Sequence, residues 1–152
     1  MGIVEMRFSF YLTEMSYHQD RAIEKIEDLL PQVITHLFKC LTMSGSQDFN
    51  HWLKEIRNWI SQMDDYSVVK PKNRRINLKV FLKEYEQKLS FKYLLRKYES
   101  VLYQYGLGCK KHIPTPEKCI EFVQGFLADL FETLSNDELS WIDLEKKLKD
   151  FK

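Results

Sequence analysis

FNHWLKEIRNWISQM, residues 49–63, decides the fold class. Phe49, Trp52, Leu53, Ile56, Trp59, Ile60 and Met63 recur at steps of three and four, which puts them on one face of a helix. His51, Lys54, Glu55, Arg57 and Asn58 cover the other side. A half-buried strand would alternate with a period of two, and this stretch does not. SGSQD, residues 44–48, precedes it as a turn that also supplies an N-cap.

Working back from that turn, Ile23, Ile26, Leu30, Val33, Ile34, Leu37 and Leu41 hold a second helical stripe from Ser16 onward. Pro31 interrupts it. A proline removes one intrahelical hydrogen bond and crowds the preceding turn, so a kink is expected, or two helices with Pro31 in the first turn of the second. Residues 1–15 fit two patterns. Val4, Met6, Phe8, Phe10 and Leu12 alternate like a short strand, whereas Phe8, Tyr11, Leu12 and Met15 are spaced like a helix. A lone strand needs a partner, which would be YSVV at 66–69 or another chain.

Working forward, DDYSVVKPKNRR breaks the helical pattern, and Asn77 stands where a cap for the next helix belongs. At about 100° per residue, Leu78, Phe81, Leu82, Tyr85 and Leu89 point one way, while Phe91, Leu94, Leu95, Tyr98, Leu102 and Tyr105 point nearly opposite. One straight helix would have to bury both sides in turn. A break near Ser90 is therefore expected, with Ser90 capping a second helix that ends at Gly106. CKKHIPTPEKC is a loop, after which Thr115 reads as N-cap with Pro116 at the first helical position. Cys119, Ile120, Val123, Phe126, Leu127, Leu130 and Leu134 line the helix that follows. Ser135 or Asn136 is expected to cap a last helix striped by Trp141, Leu144, Leu148 and Phe151.

These segments predict an all-α fold: an N-terminal segment over residues 1–15 and an irregular bundle of five to seven helices over 16–152. A chain of 152 residues is one domain's worth, and 44% hydrophobic residues with 14% aromatic are enough for a core. Gly (5) and Pro (4) are too scarce for a many-turned β fold. No apolar run approaches the ~18 residues that a membrane span needs. The first residues lack the cationic and apolar regions of a secretory signal, and Met6 stands where a myristoylation motif needs Ser or Thr. The cysteines, 3 in number at irregular spacing, fit a reducing cytoplasm better than a disulfide framework.

Charge is unevenly spread. Residues 1–69 carry a net −4, residues 70–112 a net +9, and residues 113–152 a net −4, under a total of +1. Either the basic middle meets the acidic ends inside the molecule, or it is turned outward to a partner. The outward arrangement nominates Lys70, Lys72, Arg74, Arg75, Lys79, Lys92, Arg96 and Tyr103 as partner-binding residues. Asp20, Glu24, Glu27 and Asp28 form the alternative, acidic face, which as a cluster on one helix reads first as a solvated surface.

Catalytic and cofactor motifs fail on inspection. Cys109, His112 and Cys119 have a spacing that resembles part of a zinc site, but a fourth ligand would have to come from a distant helix. Cys40 and Cys119 sit on apolar stripes, where a free thiol packs as a small hydrophobe. His36 flanks its stripe and reads as a partly buried, hydrogen-bonded histidine. GLGCKK lacks the phosphate-loop pattern, and there is no nucleophile elbow, zinc-protease helix or paired Glu-x-x-His. No metal and no cofactor are expected. The expected function is a small soluble, non-catalytic helical protein that binds a macromolecular partner, as a toxin-neutralising bacterial immunity protein or antitoxin does. The alternatives are nucleic-acid binding through the basic segment 70–112, and an enzyme whose site only the fold assembles.

Overall fold

The computed structural model describes residues 3–69, 74–76, 78, 88–105, 114–138 and 140–151, and of residues 3–18, 69, 74 and 105 the backbone alone. Among the described residues the chain forms five helices: α1 (Ile3–Thr42), α2 (Phe49–Tyr66), α3 (Phe91–Tyr105), α4 (Pro116–Ser135) and α5 (Trp141–Lys149). A short antiparallel ribbon, β1 (Val68–Val69) and β2 (Arg74–Arg75), lies between α2 and α3. The fold is all-α, and no described helix is long and apolar enough to cross a membrane.

The spine is α1. It touches each of the other four helices and β1, and its largest contact is with α2. Its C-terminal half explains this, because apolar residues there hold one broad face, about 140° of the helix circumference. Ile26, Leu30, Val33, Ile34, Leu37, Phe38 and Leu41 are all buried. The backbone is helical from Ile3 onward, so the N-terminal residues do not form the strand their alternation allowed. YSVV pairs elsewhere: Val68 stands opposite Arg75 and Val69 opposite Arg74. Pro31 lies inside α1, and the helix runs through it without dividing in two.

Trp52, Leu53, Ile56, Ile60 and Met63 of α2 are buried, as the spacing requires. Trp59, placed on the same stripe by sequence, is only half-buried and packs at the edge of the core. Asp48 precedes α2 in the expected turn, but its side chain makes no capping bond. At the other end Ser67 joins helix to ribbon. Its buried hydroxyl donates to the Met63 carbonyl at 2.7 Å, and its own carbonyl accepts from the Ile76 amide at 2.9 Å.

The break near Ser90 is present. Residues 88 and 89 form a turn, and the Ser90 hydroxyl accepts from the Tyr93 amide at 3.2 Å as α3 begins. Leu94, Tyr98 and Val101 of α3 are buried, but Phe91, expected on that stripe, is 47% exposed. The Tyr98 ring meets Phe38 edge-on with centroids 5.8 Å apart, and its hydroxyl donates to the Pro114 carbonyl at 3.2 Å. Thr115 caps α4, accepting from the Lys118 amide at 3.4 Å, with Pro116 as the first helical residue.

The end of α4 differs from expectation. Ser135 and Asn136 close α4 and do not cap α5. Asp137 takes the left-handed conformation, φ 55°, and the Glu138 amide donates back to the Thr133 carbonyl at 2.9 Å. That is the geometry with which helices commonly stop, in a place that glycine usually fills. The Ser135 hydroxyl accepts from the Leu78 amide at 2.8 Å, tying the segment before α3 to the end of α4. Ser140 precedes α5 without a side-chain cap, and Leu144 and Leu148 anchor that helix in the core. The caps expected at Asn77 and Gly106 lie outside the described residues.

Candidate functional site

The cations of the basic segment divide into two groups. Arg75, on β2, faces the interior. Its guanidinium donates to the Asp64 carboxylate at 2.8 Å, the Leu134 carbonyl at 3.0 Å and the Asp137 carboxylate at 2.5 Å. It thus joins the end of α2, the ribbon and the end of α4, and its side chain is 19% exposed. The sequence nominates Arg75 for a partner, but the fork geometry of arginine is here engaged with its own chain. Lys88 pairs with Glu27 of α1 at 3.7 Å. Lys97 lies over the Tyr93 ring, 5.8 Å from its centroid.

Lys92 and Arg96 behave otherwise. Both are exposed, and neither has an ion-pair partner among the described residues. At ~100° per residue, Lys92, Arg96, Glu99 and Tyr103 fall within about 60° of one another around α3 and form a line about 16 Å long. All four are exposed, Tyr103 by 91%. The line lies opposite buried Leu94, Tyr98 and Val101, so the core holds the helix that displays it. Lys70, Lys72 and Lys79 lie outside the described residues, as does the side chain of Arg74.

The acidic face is on α1. Asp20, Glu24 and Asp28 are exposed and Glu27 is half-buried. It is not purely acidic: Arg21 approaches Glu24 at 4.0 Å, and Lys88 engages Glu27. Lys25 lies over the Tyr66 ring, 5.1 Å from its centroid.

A third cluster joins α1 to α2. Glu55 presents one carboxylate oxygen to Nε2 of His36 and the other to Nε2 of His51, the latter at 2.8 Å. Nδ1 of His36 lies 3.0 Å from the Gln32 carbonyl, and the ring meets Trp59 edge-on, centroids 4.6 Å apart. Burial, and then the nearby Lys39 ammonium, hold the His36 pKa below its usual value, against the opposing pull of Glu55. Lys39 itself is buried over the Trp52 ring, 5.9 Å from its centroid. The nitrogens stand at hydrogen-bond distance from the carboxylate, closer than a ligand shell around an intervening ion allows. Among the described residues, no group of three or more His, Cys, Asp or Glu side chains is arranged to hold a metal.

The weak zinc pattern does not assemble within view. Cys119 is buried in α4, while Cys109 and His112 lie outside the described residues. Cys40 is likewise buried, and burial pushes its thiol pKa up to about 12, so it packs as an apolar group. Between α4 and α5 lies a broad, open depression lined by Phe122, Asp143, Lys146, Lys147, Asp150 and Phe151. Lys147 there is paired with Asp129. Comparison of the chain with family models, with curated proteins and with solved structures finds no match.

Proposed function

We propose that this chain is a non-catalytic binding protein that docks an acidic surface of another protein on the exposed line of α3. The observation that carries this is the contrast within one segment. Arg75 and Lys88 meet carboxylates of their own chain, whereas Lys92 and Arg96 project from a core-anchored helix with no such partner among the described residues. Rigid presentation matters because a core-anchored helix spares the backbone ordering that a loop would cost on binding, leaving a side-chain cost of about 0.5–1.5 kcal/mol each. Tyr103 adds an exposed amphipathic ring beside the cations, of the kind that anchors interfaces.

Glu99 favours a protein over a nucleic acid. It stands in the line between Arg96 and Tyr103, where it repels a phosphate backbone but offers a protein partner an acceptor. The acidic face on α1 is the weaker docking surface, because Arg21 and Lys88 already answer part of its charge. Masking another protein, as immunity proteins and antitoxins do, is one form such a role takes. The α3 line makes the masked surface an acidic one. A reducing compartment suits it, since Cys40 is a buried thiol outside any disulfide.

The test is capture from a nuclease-treated extract of the native cell, using three baits: the wild type, K92E/R96E, and K54E/R57E. The last pair reverses exposed cations of α2 as a control. A protein retained by the wild type and the control but lost by K92E/R96E supports the proposal. Retention by all three baits, or by none, contradicts it. If retention is instead seen only in a parallel untreated extract and is abolished by the nuclease, the basic segment serves phosphates and the proposal fails.

A further inference from the structure

We propose that the exposed line of α3 is self-complementary, and that two copies of this chain associate through it as antiparallel helices. This goes beyond the docking of an acidic partner and does not rest on it, although the two uses of the line exclude each other. Lys92, Arg96, Glu99 and Tyr103 are exposed, and none has an ion-pair or ring partner among the described residues. Along the helix the order is cation, cation, anion, ring. A two-fold axis between residues 97 and 98, perpendicular to the helix pair, sets position 92 level with 103 of the second copy and 96 level with 99. Each Arg96 then faces a carboxylate, Glu99 of the second copy, as charges across a helix seam do. Each Lys92 faces a Tyr103 ring, a cation–π pair. A parallel arrangement would set each charge against its own kind.

The flank of the line fits the same pairing. Phe91, Leu95 and Leu102 fall within about 40° of one another around α3, beside the charged line. Leu95 and Leu102 are half-buried, and Phe91 is 47% exposed. The two-fold axis keeps the flanks of both copies on one side of the seam. Leu102 of one copy then stands level with position 93 of the other, between Phe91 and Leu95 and about 3 Å along the helix from each. Each end of the seam thus gathers an apolar cluster that covers Phe91, while Arg96 and Glu99 meet at its middle. One helix pair buries less than a standard interface, so the association is weak and reversible. Its charges set orientation and specificity more than strength. A dimer of this kind covers the line until a tighter partner displaces the second copy.

The test is analytical ultracentrifugation of the purified full chain at low salt, from about 10 µM to about 1 mM, where weak interfaces form. The wild type should move from monomer toward dimer over that range. R96E and E99R each set like charges together at both central contacts and should weaken association roughly tenfold or more. Mixing R96E with E99R puts opposite charges back at both contacts and should recover a heterodimer, and the double variant R96E/E99R should dimerise by itself. K54E/R57E, on α2, should behave as the wild type. A monomeric wild type at about 1 mM overturns the proposal. So does a dimer that R96E and E99R leave intact, or two variants that stay apart when mixed. If a single variant loses its helical circular dichroism, R96E/E99R against the wild type decides. No partner is present, so these outcomes are independent of the capture experiment.

Discussion

Arg75 shows how far a single residue's role depends on the fold around it. Its three partners are 11, 59 and 62 residues away in sequence. Arg75→Met keeps the bulk and removes the charge, leaving the Leu134 carbonyl and two carboxylates without a donor. Chemical denaturation should show a loss of about 1–3 kcal/mol. Asp137→Asn keeps the short polar side chain that tolerates the left-handed conformation, and its carboxylate is mostly exposed. Its loss should be only about 0–1 kcal/mol. Equal losses from both variants would show that Arg75 is held by Asp137 alone. Trp59 offers a comparison in the core. Phe38 is fully enclosed whereas Trp59 is half-buried, so Phe38→Ala should cost about 3–5 kcal/mol and Trp59→Ala less. The sequence marks Arg75 as a cation and nothing more, because residues that fold against it from so far away leave no local trace. The half-buried, hydrogen-bonded state of His36 was legible from its place beside the apolar stripe. Its clasp by Glu55 was not, since that depends on how α1 and α2 cross.

Helices were the legible level of this molecule. The stripe of α2, the Thr115 cap with Pro116 behind it, and the break at Ser90 each follow from side-chain spacing and terminal hydrogen bonds, which are local physics. Misplaced features sit at junctions. Phe91 shares the phase of the α3 stripe but stands in the first turn, where it is left exposed. Ser135 and Asn136 are good cap residues, yet α4 uses them to stop, because the left-handed Asp137 follows directly. The β1–β2 pairing escaped the sequence because two residues per strand carry no periodicity. One element invites improvement. Gly125 lies in the interior of α4, exposed, and a Cβ built there meets nothing within 4 Å. Gly125→Ala should therefore stabilise the domain by about 0.5–1 kcal/mol, seen as a higher thermal midpoint. A lowered midpoint would mean that this face of α4 is covered.

Over the whole molecule, the segregation of charge is partly internal and partly turned outward. Arg75 and Lys88 meet carboxylates contributed by the acidic ends, so the basic middle helps close the fold. Among the described residues, Lys92 and Arg96 take no part in that closure. Reversing both should leave stability within about 0.5 kcal/mol of wild type, as exposed substitutions do. A large loss in denaturation would mean that they hold the bundle together. The sequence revealed the excess of cations but not its division, because helix phase places Lys92 and Arg96 outward while only the tertiary fold turns Arg75 inward. The most direct measurement is covalent side-chain footprinting of the chain, free and bound to the protein it captures. Protection of Lys92, Arg96 and Tyr103, with Asp20, Glu24 and Asp28 still reactive, is the result expected. Unchanged labelling along α3, with the α1 carboxylates shielded instead, would contradict the account.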